Sequence, residues 1–457
     1  MFSRETIAAR FAKYCTNLSF QEISQDAVKI AKRCILDSIG CILAGSKTIA
    51  GGVAIEVARE AGGKPQSTLF GTGEKTSTAT AAFANAIMAN ALDFDDVWFG
   101  HPGATVIPSA IAVGEALDVS GQELLTAILA GYEVSMRIAK AIQPSYGRRH
   151  TVWGAGTWQV FGSVCAAGKL LHLDEEQFTM ALGIAGCNAP VPANMKSLYG
   201  IAGATMVKNN FGTAAMSGVI STFFAQRGFT GPPDILDGEK GFWRIYGSDR
   251  CDFGGMTRRL GETNEILKLS FKPYPLCRYT HAAVDGLLNL VEAHKIACSE
   301  IREILIRVPR HITVSPFNNH KPENMLQAQF SFPFAMAVAL SGIEPGPEWL
   351  SDERFRSAEL RRTAMKVRLA ADTIRRWHTD VAATVEIRTN NKKYRARVIN
   401  PRGSPKNPLS DEFLDHKFMI LASKVIDRGS LQPVIERVRR IESETNLGAL
   451  IQLLRPS

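Results

Sequence analysis

Apolar residues recur at three- and four-residue spacing through most of the first 267 positions, which is the period of a helix that buries one face. Glycine or a Ser-Gly pair stands at the ends of several of these segments, as is common at helix termini. Their many Ala, Gly and Ser residues allow close helix packing. The pattern predicts a first helix in the opening residues and further helices in segments 26–45, 78–94, 120–142, 174–187 and 209–228.

The pattern changes after residue 267. Segment 302–314 alternates apolar and polar residues like a strand, and segment 383–400 contains two such runs around the pair Asn390-Asn391, which predicts a hairpin. Helical spacing is seen between these strands, in segments 327–342 and 351–367. This half of the chain is therefore predicted to mix helices with strands.

A linker rich in Pro, Gly and Ser follows the hairpin, and helical spacing returns from Asp411 to the end. We therefore predict a mainly α fold, in which residues 1–267 and 408–457 form a large all-helical domain. Residues 268–407 are predicted to form an inserted, smaller α+β lid domain. The length of 457 residues and the hydrophobic content of 45% suffice for a large core and favour two domains over one.

Cysteine usage and charge narrow the class of protein. The eight cysteines lie far apart without a C-x-x-C pair, so we expect buried thiols in a cytoplasmic protein, or a mitochondrial matrix protein if the source is eukaryotic. No segment has the length and apolar purity of a membrane span, and we expect no membrane partner. The net charge of +9 is spread along the chain, with one basic concentration at 354–378 that we interpret as a solvated helix face. Because no nucleic-acid-binding motif accompanies it, a small anionic substrate is the expected partner, and no nucleic acid.

The stretch NALDFDDVWFGHPGATVIPSA contains three aspartates directly after an uncharged helix, and His101 follows them. A second helix is predicted to begin at Pro102, with Pro108 as the alternative start. The amides of Gly103 and Ala104 would then point outward as donors to an anion. Aspartates at a helix C-terminus oppose the helix dipole and need a lysine, a histidine or a metal as partner. The D-x-D-D spacing matches no established metal loop, so no metal is expected; capping of neighbouring helices is the structural alternative.

Two further segments offer groups for proton transfer and anion binding. Lys208 precedes a helix predicted to begin at Asn209 or Asn210, where the helix end and burial would lower the pKa of the ammonium group. It is then an anion anchor or an acid/base group, and the alternative is an exposed lysine.

The segment FKPYPLCRYTHAAVD stands at the predicted join between the domains. Its prolines stiffen it, and Lys272, Tyr274, Arg278 and His281 are predicted to face a cleft there. No phosphate loop, G-x-S-x-G elbow, H-E-x-x-H motif or dinucleotide fingerprint is present in the sequence. The residues themselves therefore predict a cofactor-free cleft for proton transfer on an anionic substrate.

Several motifs together resemble the MmgE/PrpD family, which includes 2-methylcitrate dehydratase, cis-aconitate decarboxylase and iminodisuccinate epimerase. They are LDSIGCILAG, NALDFDDVWFGHPGATVIPSA, FGSVCAAGKLLHLDEEQFTMALGIAG and FKPYPLCRYTHAAVDG, and the resemblance runs nearly the whole length. It implies a helical domain with a smaller lid, a homodimer, and catalysis without a metal or organic cofactor. It also implies that Asp93, His101, Lys208 and His281 are the catalytic residues.

The chain departs from the decarboxylase-like members of this family at three places. Val97 stands where those members have threonine, and Trp153 stands where they have histidine, with His150 three residues upstream. Segment 312–322 lacks the lid tyrosine of the decarboxylase. These departures predict a substrate other than cis-aconitate, or a different distribution of proton-transfer roles.

The expected function is that of a lyase acting on a small di- or tricarboxylate, first of all a hydro-lyase similar to 2-methylcitrate dehydratase. His281 or Lys208 would take the α-proton, and His101, oriented by Asp93, would protonate the departing hydroxide. Decarboxylation, epimerisation and a non-catalytic family member are the alternatives. The groups expected to hold the substrate carboxylates are Lys272, Tyr274, Arg278 and the amides of Gly103 and Ala104.

Overall fold

The computed structural model describes residues 5–149, 156–191, 204–372 and 381–456. The fold is mainly α, as predicted. One of the departures noted above, Trp153, lies outside the described residues, as does the nearby His150. The described helices of the first part of the chain are α1 (Ile7–Asn17), α2 (Gln25–Gly45), α3 (Ile49–Ala61), α4 (Thr78–Asn90), α5 (Gly103–Leu117), α6 (Gly121–Ala141), α7 (Tyr146–Arg149), α8 (Val160–Leu170), α9 (Glu175–Cys187), α10 (Met206–Gln226), α11 (Phe242–Ile245) and α12 (Phe253–Thr257).

Helices also alternate with strands and short turns in the second part of the chain. The helices there are α13 (His281–His294), α14 (Met325–Phe330), α15 (Phe332–Ala339), α16 (Asp352–Arg356), α17 (Ala358–Ala364), α18 (Asp411–Ala422), α19 (Arg428–Arg439) and α20 (Gly448–Leu453). Short 3-10 turns occupy Phe20–Glu22, Glu265–Lys268, Arg278–Thr280, Cys298–Glu300, Arg310–Ile312, Pro347–Leu350 and Ile441–Ser443.

Four strands form the larger sheet, in the order β4-β3-β5-β6. Strand β3 (Glu303–Pro309) pairs in parallel with β4 (Val367–Asp372) and antiparallel with β5 (Ala383–Arg388), which continues into β6 (Lys393–Val398) through the predicted hairpin. A two-residue pair, β1 (Ser67–Thr68) and β2 (Lys75–Thr76), lies between α3 and α4.

The sequence did not predict strand β4. Segment 351–367 was expected to be helical and the basic stretch 354–378 to form a helix face, yet α17 ends at Ala364 and the chain turns into the sheet at Val367. Residues 373–378 of the basic stretch lie outside the described residues. The short run Val-Arg-Leu-Ala-Ala-Asp becomes a strand because its backbone hydrogen-bonds to β3, a partner about sixty positions earlier.

Two of the three large apolar cores of the described residues include residues of the loop that carries the acidic cluster. The first is built on helices α2, α4, α5 and α6, and the C-terminal helices α18 and α19 pack into it, so the end of the chain returns to the N-terminal helices. The second is formed by α13, α15 and the inner face of the larger sheet. The exact domain limits, 1–267, 268–407 and 408–457, stay predictions.

Within the described ranges, no single helix is long and apolar enough to cross a membrane, whereas the bent pair Gln25–Gly45 and Ile49–Ala61 reaches that length and composition together.

Candidate active site

The loop 91–102 joins helices α4 and α5 and presents the acidic cluster. Helix α5 begins at Gly103, directly after Pro102 as predicted, and Pro108 lies inside the helix instead of starting it. Asp93 and Phe99 have left-handed backbone, with φ angles of 51° and 45°. Such backbone is uncommon for residues other than glycine and persists where surrounding contacts hold it.

Asp93 is buried and forms an ion pair with Lys272. The Lys272 Nζ atom lies 2.7 Å from Asp93 Oδ1 and 2.6 Å from the carbonyl oxygen of the same residue. Burial by itself would raise the pKa of Asp93, but the charges of Lys272, Lys208 and His101 outweigh it and hold the pKa well below the ordinary value. Asp93 is therefore a carboxylate, and Lys272 fixes both its side chain and its left-handed backbone.

Asp95, and not Asp93, orients His101. The His101 Nδ1 atom lies 3.0 Å from Asp95 Oδ2, whereas its Nε2 atom lies 3.5 Å from Asp93 Oδ1. Asn90 in turn donates from Nδ2 to Asp95 Oδ1 at 2.8 Å, so the Asp95 carboxylate is itself held in place. The imidazole thus lies between two carboxylates, and Asp95 has the orienting position that was expected for Asp93.

Lys208 is buried in the first turn of α10, which begins at Met206, earlier than the predicted start at Asn209 or Asn210. Its Nζ atom donates to Asn90 Oδ1 at 3.0 Å. Burial lowers the pKa of Lys208, and the nearby Asp93 carboxylate counters part of that effect. The exposed-lysine alternative is therefore wrong, and Asn90 links Lys208 to the Asp95–His101 pair.

The carboxyl group of Asp96 closes the start of helix α5. It accepts a hydrogen bond from the Gly103 amide at 3.0 Å and another from the Tyr132 hydroxyl. Burial, together with the neighbouring Asp95 and other acidic charge, raises the pKa of Asp96 to about 7. The predicted outward direction of the two amides is therefore wrong: Gly103 donates to Asp96, and Ala104 donates to the His101 carbonyl at 3.1 Å.

His281, Tyr274 and Arg278 form a second buried group. The His281 ring is fully buried, with Nε2 3.1 Å from the Leu276 carbonyl and Nδ1 3.3 Å from Arg278. Burial, followed by the charge of Arg278, lowers the pKa of His281 well below its ordinary value, so the ring is neutral. A neutral ring that donates from Nε2 to a carbonyl keeps its lone pair on Nδ1, which faces Arg278.

The polar atoms of this second group are hydrogen-bonded, directly or through Asp285, to Arg402 in the segment after strand β6. Tyr274 donates to Asp285 at 2.8 Å, and the other Asp285 oxygen accepts from the Arg402 amide at 2.7 Å. Arg278 donates to the Arg402 carbonyl at 2.7 Å. A direct role of Tyr274 and Arg278 in holding a carboxylate stays a prediction.

The N-terminal domain of the MmgE/PrpD family matches residues 9–252, and the C-terminal domain of that family matches residues 274–442. The chain belongs to the MmgE/PrpD family. It is 28% identical to the cis-aconitate decarboxylase of Mus musculus over 479 residues, which cover 99% of this chain and 94% of the mouse protein. The cis-aconitate decarboxylase of Homo sapiens is 27% identical over 99% of this chain and 95% of its own length, and that of Aspergillus terreus 24% over 99% and 96%.

Three of the four residues marked by the family resemblance, Asp93, His101 and Lys208, lie in one contact network. His281 is linked to that network through electrostatics, because Lys272 and Asp93 both act on its pKa. The MmgE/PrpD resemblance thus selected residues that the fold does bring near one another, and their catalytic roles stay predictions.

The cluster contains more buried charge than the sequence indicated. Its described carboxyl groups outnumber its ammonium groups by one, so protonation of Asp96 balances the remaining carboxylates against the ammonium groups. The carboxyl groups are those of Asp37, Asp93, Asp95 and Asp96, and the ammonium groups are those of Lys208, Lys272 and Lys417.

Sequence reasoning missed Asn90, Asp37, Tyr132 and Lys417. Asn90 and Asp37 stand inside motifs that carried the family resemblance, and two signals could have found them: Asp37 carries the one charge in segment 34–45, and Asn90 ends an uncharged helix. Lys417 offered no such signal, because it contacts residues more than 140 positions away.

Asp93, Asp95 and His101 could also hold a cation by geometry. One ligand atom from each lies within 4.8 Å of the others. Lys272 already places an ammonium group 2.7 Å from Asp93, in the position where it would repel a metal ion. The expectation that this MmgE/PrpD protein uses no metal stays a prediction.

Proposed function

We propose that this protein is a cofactor-independent lyase of a small di- or tricarboxylate, and that decarboxylation of a cis-aconitate-like acid is its reaction. The observation that carries the proposal is the imidazole of His101 held between the carboxylates of Asp93 and Asp95, beside the buried ammonium of Lys208. The relatives named as cis-aconitate decarboxylases match the chain over nearly its whole length, which favours decarboxylation over the hydro-lyase reaction expected from the sequence.

The geometry supports a division of roles in decarboxylation. The carbon–carbon bond to one carboxylate breaks, carbon dioxide leaves, and the electron pair moves into the remaining conjugated acid. Lys208 stabilises the charge that develops there, since a buried ammonium acts in a weakly screened environment. His101 then delivers a proton from Nε2 to carbon, while Asp95 holds Nδ1 and keeps the ring in place.

A hydro-lyase reaction is the second candidate. Val97 is buried where the decarboxylase-like members have threonine, and its amide and carbonyl pair with Ser270. Because valine has no hydroxyl group, this position offers no polar side-chain group to the loop. In this reaction the neutral ring of His281 or the ammonium-derived amine of Lys208 takes the α-proton, and His101 protonates the hydroxide that leaves.

The two candidates are separated by their products. The purified protein is incubated with cis-aconitate, 2-methylcitrate, citrate and iminodisuccinate, and carbon dioxide, ultraviolet absorbance of the unsaturated acid, and deuterium uptake from D₂O are followed. Carbon dioxide released in step with substrate loss supports the decarboxylase, and an unsaturated acid formed without carbon dioxide supports the hydro-lyase. Turnover of none of the four acids would show the proposed function to be wrong.

Active-site variants then assign the residues. His101→Gln and Lys208→Met are each expected to lower kcat/KM by about 10² to 10⁴, the usual contribution of one proton-transfer or charge-stabilising group. Lys424→Met is the matched control, since Lys424 is exposed on the stretch after helix α18. Full activity of both site variants would exclude this assignment.

A further inference from the structure

One ammonium group from the C-terminal part of the chain fastens the two segments that form the Asp93–Lys272 pair. The Nζ atom of Lys417, in helix α18, donates to the carbonyl oxygen of Phe94 at 2.6 Å and to that of Lys272 at 3.0 Å. Phe94 follows Asp93 directly, and Lys272 is the partner of Asp93 itself. The same ammonium group also lies 3.8 Å from the centre of the Phe94 ring.

The charge of Lys417 has its own counter-ion. Asp37 Oδ1, in helix α2, lies 2.6 Å from Lys417 Nζ, and both side chains are almost completely buried. Burial raises the pKa of Asp37, and the charge of Lys417 is the first effect that counters it. The ammonium group therefore donates two hydrogen bonds to backbone carbonyls, and its charge is paired with the Asp37 carboxylate.

We propose that Lys417 is a positioning residue for the candidate active site: it sets the separation between Asp93 and Lys272 by holding the backbones of loop 91–102 and segment 270–277 to one point. The expected effect on kcat rests on the proposed function. The expected effect on the position of the two backbones rests on the contacts of Lys417 alone. Asp37 keeps the buried cation compensated, so that the pair is tolerated in the apolar core.

Removing Lys417 alone would not test this, because it leaves Asp37 buried without a counter-ion and the variant could fail to fold. The double variant Asp37→Asn/Lys417→Met removes both charges and keeps the volumes similar. It separates two roles of Lys417: neutralising Asp37, which the double variant no longer needs, and donating to two carbonyls, which the double variant still lacks. Lys424→Met serves as the control for loss of a lysine charge in this region.

Three outcomes are expected for the double variant if Lys417 positions the site. Its Tm is higher than that of Lys417→Met, because no uncompensated charge remains. Its kcat falls by about 10²-fold with KM changed far less, since a small displacement of reacting groups acts on the chemical step. Its acid limb of the pH–rate profile moves to higher pH, because Asp93 loses part of the contact with Lys272 that keeps it ionised.

A measurement without turnover keeps the inference independent of the proposed function. Hydrogen–deuterium exchange is expected to accelerate in peptides that cover 91–102 and 270–277, with exchange elsewhere as in the wild type. If the wild-type protein turns over none of the acids, the proposed function fails while the exchange comparison still decides the role of Lys417. Wild-type exchange in both segments, or wild-type kcat and pH profile in the double variant, would overturn the inference.

Discussion

Gly103 is the residue at which loop 91–102 meets helix α5 most closely. A Cβ atom added there would lie 2.6 Å from Asp96 Oδ2 and 2.6 Å from the Tyr132 hydroxyl oxygen, closer than such atoms can approach. Neither neighbour is the free end of a long side chain, because each is hydrogen-bonded to the other. The requirement for glycine therefore comes from the packing of Asp96, and the sequence could not show it.

Gly103→Ala is expected to destabilise the protein by about 1–3 kcal/mol, the usual effect of overpacking, and to lower kcat by displacing the loop. Denaturant unfolding and steady-state kinetics measure the two effects. Gly52→Ala is the control, since Gly52 lies in helix α3 with open space around its Cα and alanine favours helix. Equal stability of the two alanine variants would contradict the close approach.

The carboxyl group of Asp96 also predicts how stability depends on pH. Its pKa is about 7 in the folded protein against 3.8 as the ordinary value, so the folded state binds the proton more tightly than the unfolded state. The stabilisation that this proton gives is complete below pH ~4 and is lost as the pH rises towards ~7. Above about pH 7, folding must bury the ionised carboxylate of Asp96 next to that of Asp95.

Asp96→Asn removes this titration and is expected to flatten the fall in unfolding free energy between about pH 4 and about pH 7. Chemical denaturation at a series of pH values measures it. Asp118→Asn is the control, because Asp118 is exposed and has left-handed backbone, which asparagine also adopts. Parallel pH curves of wild type and Asp96→Asn would mean that Asp96 has the same pKa in the folded and unfolded states.

The segment after strand β6 is tied to helix α13 through Asp285. Tyr274 and the Arg402 amide donate to the two oxygens of that carboxylate, and the Tyr274 ring stacks on Trp349 at 5.6 Å. These contacts hold Tyr274 in a buried position. They offer a structural role for its hydroxyl group, as an alternative to the predicted role in holding substrate.

Tyr274→Phe distinguishes the two roles, because it keeps the ring and removes the hydroxyl. A supporting role predicts a loss of about 1 kcal/mol in stability, the worth of one hydrogen bond, and faster amide exchange at Arg402 with little change in KM. A role in substrate binding predicts the opposite: unchanged stability and a KM raised at least tenfold. Unfolding, exchange and kinetics on one variant therefore decide between them.

Long helices and the Asn390-Asn391 hairpin were predictable from the sequence, since each depends on a local period or a local turn signal. Strand β4 was not, because a six-residue run becomes a strand only when it finds a partner. The same distinction holds within the site. Asp93 and His101 are close in the chain and were predicted together, whereas the orienting role of Asp95 depends on the rotamer of His101 and on the Asn90 amide.

The C-terminal helices of the chain complete the first core. Helix α18 packs on α2, and its residues Leu414 and Phe418 are buried there together with Val434 and Ile435 of α19. The chain thus leaves the helical core, forms the larger sheet, and returns to bury the face of α2 that also carries Asp37. Lys417 arrives with this return, so the core and the acidic loop are completed by the same helix.

A chain ending at residue 407 is therefore expected to lose its native tertiary structure while it keeps much of its helix content. The truncation exposes the apolar face of α2 and removes Lys417, the counter-ion of Asp37. The exposed apolar surface and the unpaired carboxylate both destabilise the packed state. Far- and near-ultraviolet circular dichroism and solubility measure this. Co-expression of residues 408–457 as a separate chain is expected to restore the near-ultraviolet signal, because the contacts between α18 and α2 need no covalent link. A soluble, natively packed 1–407 fragment would mean that the helical core is complete without its C-terminal helices, and that Lys417 is an addition to a site already formed.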